Sequence, residues 1–277
     1  MKFGIVYHWR DPFEIVQMAD DFLELRIFEE DLKNKYRPWK SKLKELRKDW
    51  DYEISIHMPE YFEHPNTGLN TLVDLASTER KIYNFSLEVI KTLIEFGKSI
   101  EASKIIIHPG GISEQPALGD TTKKMDRLKK SLSEISGMEF AGDILLENMP
   151  WFYWRRDGTR WFSTICYTPQ DFRPLLKYCD GMVLDFSHGY LSDSSGSNRY
   201  LEEYTELYKD QIQYVHIADS LPPDNEGLQI GEGNINFEGI LNKLDKTQLW
   251  LVPEVWKGHE NFGEGFEIAL DRINHLI

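Results

Sequence analysis

Two cysteines in 277 residues are too few for a disulfide framework. Cys166 and Cys179 also lack the spacing of a thiolate metal site, so they read as free thiols in a reducing, cytoplasmic setting. Basic residues are the minority: 32 Lys and Arg stand against 46 Asp and Glu, a formal charge of -14. That balance disfavours non-specific adhesion to nucleic acid or to an anionic membrane, and leaves room only for a local basic patch. No apolar run approaches the ~18 residues of a transmembrane helix. Met1–Val6 reads as a strand, with no signal-type hydrophobic region after it. A Gly-rich phosphate turn is missing after that strand, which argues against an open, doubly wound nucleotide-binding sheet.

What is present is a chain that is 41% hydrophobic and 13% aromatic, enough to bury a sizeable core. Short apolar runs of strand length recur at Phe3–Tyr7, Phe22–Ile27, Tyr52–Ile56, Lys104–Ile107, Ile144–Leu146, Met182–Leu184, Ile212–Val215 and Leu249–Val252. Several are apolar throughout, as expected of strands buried on both faces. Between them the sequence predicts helices over Pro12–Asp20, Lys35–Asp49, Leu72–Ile100, Lys123–Ser136, Thr168–Tyr178, Tyr200–Tyr208, Phe237–Leu244 and Phe266–Leu276. Eight strand-then-helix units with no linker between them predict a single α/β domain over residues 1–277, a closed (β/α)8 barrel. The site of such a barrel lies at the C-terminal ends of its strands.

Those ends carry chemistry. The run Ile144-Leu-Leu ends in Glu147, then Asn148 and Pro150. Other runs end in His57, in His108, in Asp185 with His188 three residues on, in His216 and in Glu254, so six of the eight ends are metal-capable. Any one of these alone reads as an ordinary loop residue or a hydrogen-bonded core histidine. Together they predict one bowl of mixed N and O ligands, suited to Zn, Mn, Co or Fe, with no organic cofactor. Without a cation, Glu147, Asp185 and Glu254 would repel one another.

The order His57-Met-Pro, His108-Pro-Gly, Glu147-Asn, Asp185-Phe-Ser-His188, His216-x-x-Asp219, Gly231-Glu-Gly233-Asn-Ile and Glu254 resembles the xylose isomerase-like barrel superfamily, which includes endonuclease IV and many sugar isomerases and epimerases. In the isomerases, the resemblance implies one metal held by Glu147, Asp185, His216 and Glu254, with the two glutamates as acid and base. In the endonuclease IV branch it implies that His57 and His108 join Glu147 around a further metal, so that one or two ions are expected. A third metal there uses a His matching His188 and an Asp-x-His, where this sequence has Asn225-Glu226-Gly227. That departure weighs against three-zinc phosphodiester cleavage.

The expected function is therefore a metal-dependent isomerase or epimerase of a sugar or sugar derivative, working by enediolate-type proton transfer. An endonuclease IV-like nuclease and a non-catalytic metal-binding barrel are the competing readings. The catalytic groups would be Glu147 and Glu254, with His188 holding a substrate oxygen or else orienting Asp185. The aromatic, basic stretch Trp151–Phe162 reads as a lid; Trp151, Arg155 and Arg156 within it, and Trp256 and Lys257 at the rim, are the candidate substrate contacts. His8 reads as packing, and Asp219 as a supporting or capping residue. The resemblance is compatible with a homo-oligomer, but no interface is written in the sequence.

Overall fold

All eight expected runs form strands. The computed structural model describes residues 1–63, 70–116, 121–154 and 158–276. Its barrel strands are β1 (Lys2–Tyr7), β2 (Phe22–Arg26), β3 (Glu53–His57), β4 (Lys104–Ile107), β5 (Asp143–Glu147), β6 (Gly181–Asp185), β7 (Ile212–Ile217) and β8 (Trp250–Pro253). Each pairs in parallel with its neighbours in sequence. β8 returns to β1, with Lys2 opposite Trp250, and closes the barrel.

Side-chain alternation decides what faces the barrel axis. Leu23, Leu25, Ile54, Ile56, Ile105, Ile107, Ile144 and Leu146 belong to the apolar core. Burying each such side chain contributes roughly 1.5–3 kcal/mol. The residues between them point the other way and meet inside the barrel. Tyr214 donates to Glu24 at 2.6 Å, lies 2.9 Å from the Ser55 hydroxyl, and His216 reaches Glu24 at 2.9 Å. The strand-start end is plugged by Phe22, Tyr214 and Trp250, whose rings lie 4.3 to 6.0 Å apart, and by Lys104, which donates to Asp143 at 2.6 Å. The other end is therefore the open one, and every polar strand end points there.

The connections differ from expectation in instructive ways. The helix expected from Leu72 starts only at Arg80. Asn70–Leu72 instead pairs with Tyr61–Glu63 as a hairpin, and Asp74 then organises a buried turn by accepting from the amides of Ala76 and Gly111. The helix expected over Lys35–Asp49 is shortened to Arg37–Leu46, because Lys35 and Tyr36 both adopt left-handed backbone, and an unexpected short helix, Glu29–Lys33, precedes that pair. The helix expected over Thr168–Tyr178 is reduced to two 3₁₀ turns, Pro169–Phe172 and Leu176–Tyr178. Pro174 lies between them and lacks the N–H that a continuous helix needs.

A helix at Phe186–Ser192 was not expected, since Ser187, Gly189 and Ser192 are poor helix formers. The Asp185 carboxylate caps it by accepting from the His188 amide at 2.7 Å. The lid stretch is not irregular. Phe152–Trp154 and Arg160–Ser163 pair antiparallel, with Ile112–Ser113 on the far edge. Arg155 and Arg156 lie outside the described residues. Among the described residues no helix is long and apolar enough to cross a membrane.

Candidate metal centre

Four strand ends and the residues just past β4 and β8 bring six ligand-type side chains to one point. His57 Nε2 stands 3.2 Å from His108 Nε2 and 3.4 Å from Glu147 Oε2, and His108 Nε2 is 3.1 Å from the same oxygen. His57 Nδ1 donates to the Met58 carbonyl at 2.8 Å, which leaves Nε2 as the inward-facing lone pair. The other Glu147 oxygen, Oε1, lies 3.2 Å from His216 Nδ1. Glu254 Oε2 is also 3.2 Å from that nitrogen, and Asp185 Oδ2 is 3.9 Å away. His57, His108 and Glu147 form one group able to hold an ion; Glu147, Asp185, His216 and Glu254 form another, each with ligand atoms within 4.8 Å of one another. Glu147 belongs to both.

The electrostatics fit a cation. Glu147, Asp185 and His216 are almost wholly buried. Burial would raise the Glu147 carboxyl, but His216 and His108 hold it well below the usual carboxylate range. Burial pushes Asp185 up to about 7, with the charges of Glu254 and Glu147 adding to it against the pull of His188. Burial opposes protonation of His57, yet the hydrogen bond and charge of Glu147 lift it to about 9. His216 is raised in the same way by Glu24, Glu254 and Glu147. The metal-free cluster thus holds protons where a divalent ion would supply the same positive charge, and loading it releases them.

Support for the cluster comes from residues whose positions are harder to read. Glu24, buried in the middle of β2, accepts from His216 Nε2 at 2.9 Å and so presents Nδ1 to the ligand group. Its sequence signal is a lone carboxylate inside the apolar run Phe22-Leu-Glu-Leu. Asn148 bridges the ends of β5 and β6, donating to the Asp185 carbonyl at 2.9 Å and accepting from the Asp185 amide at 2.7 Å. Asp219 accepts four backbone amides, those of Ser220, Gly231, Gly233 and Ile235, at 2.8 to 3.1 Å. It builds the Gly231–Ile235 loop rather than the cluster. His8 packs on Phe28 and Trp39, with ring centroids at 4.8 and 5.6 Å.

Above the cluster lies a cavity of about 240 Å³ lined by His57, His108, Glu147, His188 and Glu254, and by Arg26, Glu60, Glu226, Phe152, Trp154 and Trp256. Arg26, Glu60 and Glu226 join the site only through the fold. His188 Nδ1 donates to the Asn148 carbonyl at 2.8 Å, and its Nε2 lies 3.4 Å from Glu226. Trp151 does not line the cavity. In the Phe152–Trp154 strand alternate residues share a face, so Phe152 and Trp154 turn inward while Trp151 packs beside Phe152 and Phe162. Lys257 is exposed and also stays outside the cavity, whereas Trp256, 63% exposed, forms part of its rim.

The short hairpin of Asp219–Leu221 and Asn225–Leu228 explains the lost Asp-x-His. Gly227 has φ +67, and a Cβ there would meet the Trp256 indole at 2.0 Å. No side chain, let alone an imidazole, fits at that position while Trp256 keeps its place.

Fold and site together define a (β/α)8 barrel with a candidate metal centre at the mouth. The chain belongs to the xylose isomerase-like TIM barrel family, whose sequence profile matches residues 13–273. It is 30% identical over 210 residues to an uncharacterised protein of Methanocaldococcus jannaschii, covering 73% of this chain and 63% of that relative. It is 23% identical over 251 residues to a probable endonuclease 4 of Thermotoga neapolitana, covering 82% of each. The crystal structure of a D-tagatose 3-epimerase-like protein superposes with a TM-score of 0.67 at 24% identity, covering 99% of this chain and 100% of that one.

Proposed function

We propose that this protein is a divalent-metal-dependent isomerase or epimerase acting on an uncharged sugar or sugar derivative. The observation that carries the reading is the convergence of Glu147, from β5, and Glu254, just past β8, on His216 Nδ1 at 3.2 Å each, beneath a cavity of about 240 Å³. A bound divalent ion would polarise the substrate's oxygens and stabilise the negative charge that develops next to its carbonyl. Glu254, with a side chain 26% exposed, is the freer carboxylate and takes the proton from carbon. Glu147 is surrounded by four imidazoles, those of His57, His108, His188 and His216, and serves the opposite face. His188, with Nδ1 committed to the Asn148 carbonyl, turns Nε2 toward the cavity to hold a hydroxyl. Trp154 and Trp256 cover the sugar.

Charge supports an uncharged substrate. Among the described lining residues Glu60, Glu147, Asp224, Glu226 and Glu254 face a single Arg or Lys, Arg26. Arg26 already lies 3.7 Å from Glu60. Apart from the bound ion itself, a phosphate or carboxylate would meet more negative than positive side-chain charge there. The test is proton exchange. Protein loaded with Zn, Mn or Co is incubated with neutral ketoses in D2O and followed by NMR. Deuterium is expected at the carbon next to the carbonyl, and Glu254→Gln should abolish its uptake with the fold unchanged. Full exchange in Glu254→Gln would overturn the two-carboxylate mechanism.

One observation favours a second reading, a metal-dependent phosphodiesterase. The His57, His108 and Glu147 group is complete and shares Glu147 with the other, as in two-metal hydrolases. Nicking of a duplex with an abasic site, in the absence of any sugar exchange, would establish it in place of the first.

A further inference from the structure

We propose that the site takes a ketose extended by a second sugar ring, an O-glycosylated ketose, in preference to a free monosaccharide. The inference rests on the reading of the site as one for an uncharged sugar. The cavity above the cluster, about 240 Å³, is smaller than the roughly 300–1,000 Å³ of sites for larger small molecules, and it does not end at its own wall. A second cavity of about 350 Å³ adjoins it and shares Arg26, His57, Glu60 and Tyr61. Because His57 lines both, the second cavity lies directly beside the candidate metal ligands. The Arg26 and Glu60 side chains in the shared wall are 38% and 42% exposed, and at 3.7 Å they are beyond hydrogen-bond distance from each other. Both therefore keep hydrogen-bonding capacity for a ligand that bridges the two spaces.

The far side of the second cavity has the chemistry of a neutral polyol site. Arg10 donates to Glu30 at 2.6 Å, and Glu29 is paired with Lys33 at 2.8 Å, so its charges are balanced locally. An Arg–Glu pair presents donors and acceptors side by side, which is what neighbouring hydroxyls require, each giving one hydrogen bond and taking another. Phe28, between Arg26 and Glu30 in sequence, lines the same cavity with its apolar ring, the Arg26 guanidinium standing over it 5.8 Å from the centroid. Paired charges around one aromatic face suit a sugar ring. They offer no unpaired cation for a phosphate and too much polar surface for a lipid chain.

The test measures binding, so it does not depend on turnover. Metal-loaded protein is titrated with isomaltulose, a ketose bearing glucose on its terminal oxygen, and with fructose, both followed by saturation-transfer NMR. Isomaltulose is expected to bind at least about tenfold more tightly, with saturation on both rings. The double variant Arg10→Ala/Glu30→Ala changes two partly exposed side chains and should erase that advantage while leaving fructose binding unchanged; Arg10→Lys/Glu30→Gln should restore part of it. Equal affinity for the two sugars, saturation confined to the ketose ring, or an equal loss for both in the double variant would overturn the proposal. Selective isomaltulose binding without deuterium exchange would uphold the second-ring site and sink the isomerase reading instead.

Discussion

Replacing Glu24 by Gln isolates one charge behind the cluster with little change of shape. Glu24 Oε2 accepts from Tyr214 at 2.6 Å and from His216 Nε2 at 2.9 Å. An amide keeps an acceptor oxygen for one of them but loses the charge that holds His216 with Nε2 protonated and Nδ1 toward Glu147, Asp185 and Glu254. Carboxylates that orient a metal-binding imidazole typically change affinity by 10–100-fold, so the expected loss is about 1.4–2.7 kcal/mol. pH modulates it. Burial lowers the His216 pKa, yet Glu24 and its neighbours raise it, so at neutral pH the native metal-free site must shed a proton before binding. Glu24→Gln sheds it more easily, which offsets part of the loss at neutral pH, and the offset shrinks as pH rises. Zn titration against a chromophoric chelator at pH 7 and pH 9 reads this directly. Glu53→Gln, at the barrel's opposite end, should change nothing. An affinity within twofold of wild type at pH 9 would refute the argument.

Three other outcomes follow from the same geometry. His57→Ala should lower the metal stoichiometry by one ion while keeping the Asp185, His216 and Glu254 group loaded, whereas Glu147→Gln should weaken both; elemental analysis of dialysed protein distinguishes them. In metal-free protein His57 is raised to about 9 and Asp185 to about 7, so both take up protons on folding. The stability they add is fully present below their unfolded values and is lost as pH rises through about 7 and then about 9. Melting temperature should therefore fall between pH 6 and 9 without metal and stay flatter with it; a rise over that range would contradict the assignment. Asp219→Ala removes the acceptor of four backbone amides, two of them in buried hydrogen bonds, and should cost about 3 kcal/mol in urea unfolding, with metal affinity changed far less.

The sequence alone determined the barrel and which residues form the candidate ligand cluster. Periodicity is a local property: a run such as Ile144-Leu-Leu must be buried on both faces, and eight of them separated by helices leave few topologies. Once the strands are parallel and closed, His57, His108, Glu147, Asp185, His216 and Glu254 have nowhere to go but the same mouth. Turns were legible only in part: Pro174 breaks a helix whose apolar spacing continues through it, and the left-handed Lys35–Tyr36 pair delays the next helix to Arg37. Tertiary structure decided what sequence spacing cannot carry. Glu24 and His216 are 192 residues apart, and only closure of the barrel sets them 2.9 Å from each other. Arg26 and Glu60 become cavity walls through register and a hairpin, Trp154 displaces Trp151 as a lining residue through strand alternation, and Trp256 leaves Gly227 no room for a side chain. Each depends on contacts between distant segments, which exist only once the chain has packed.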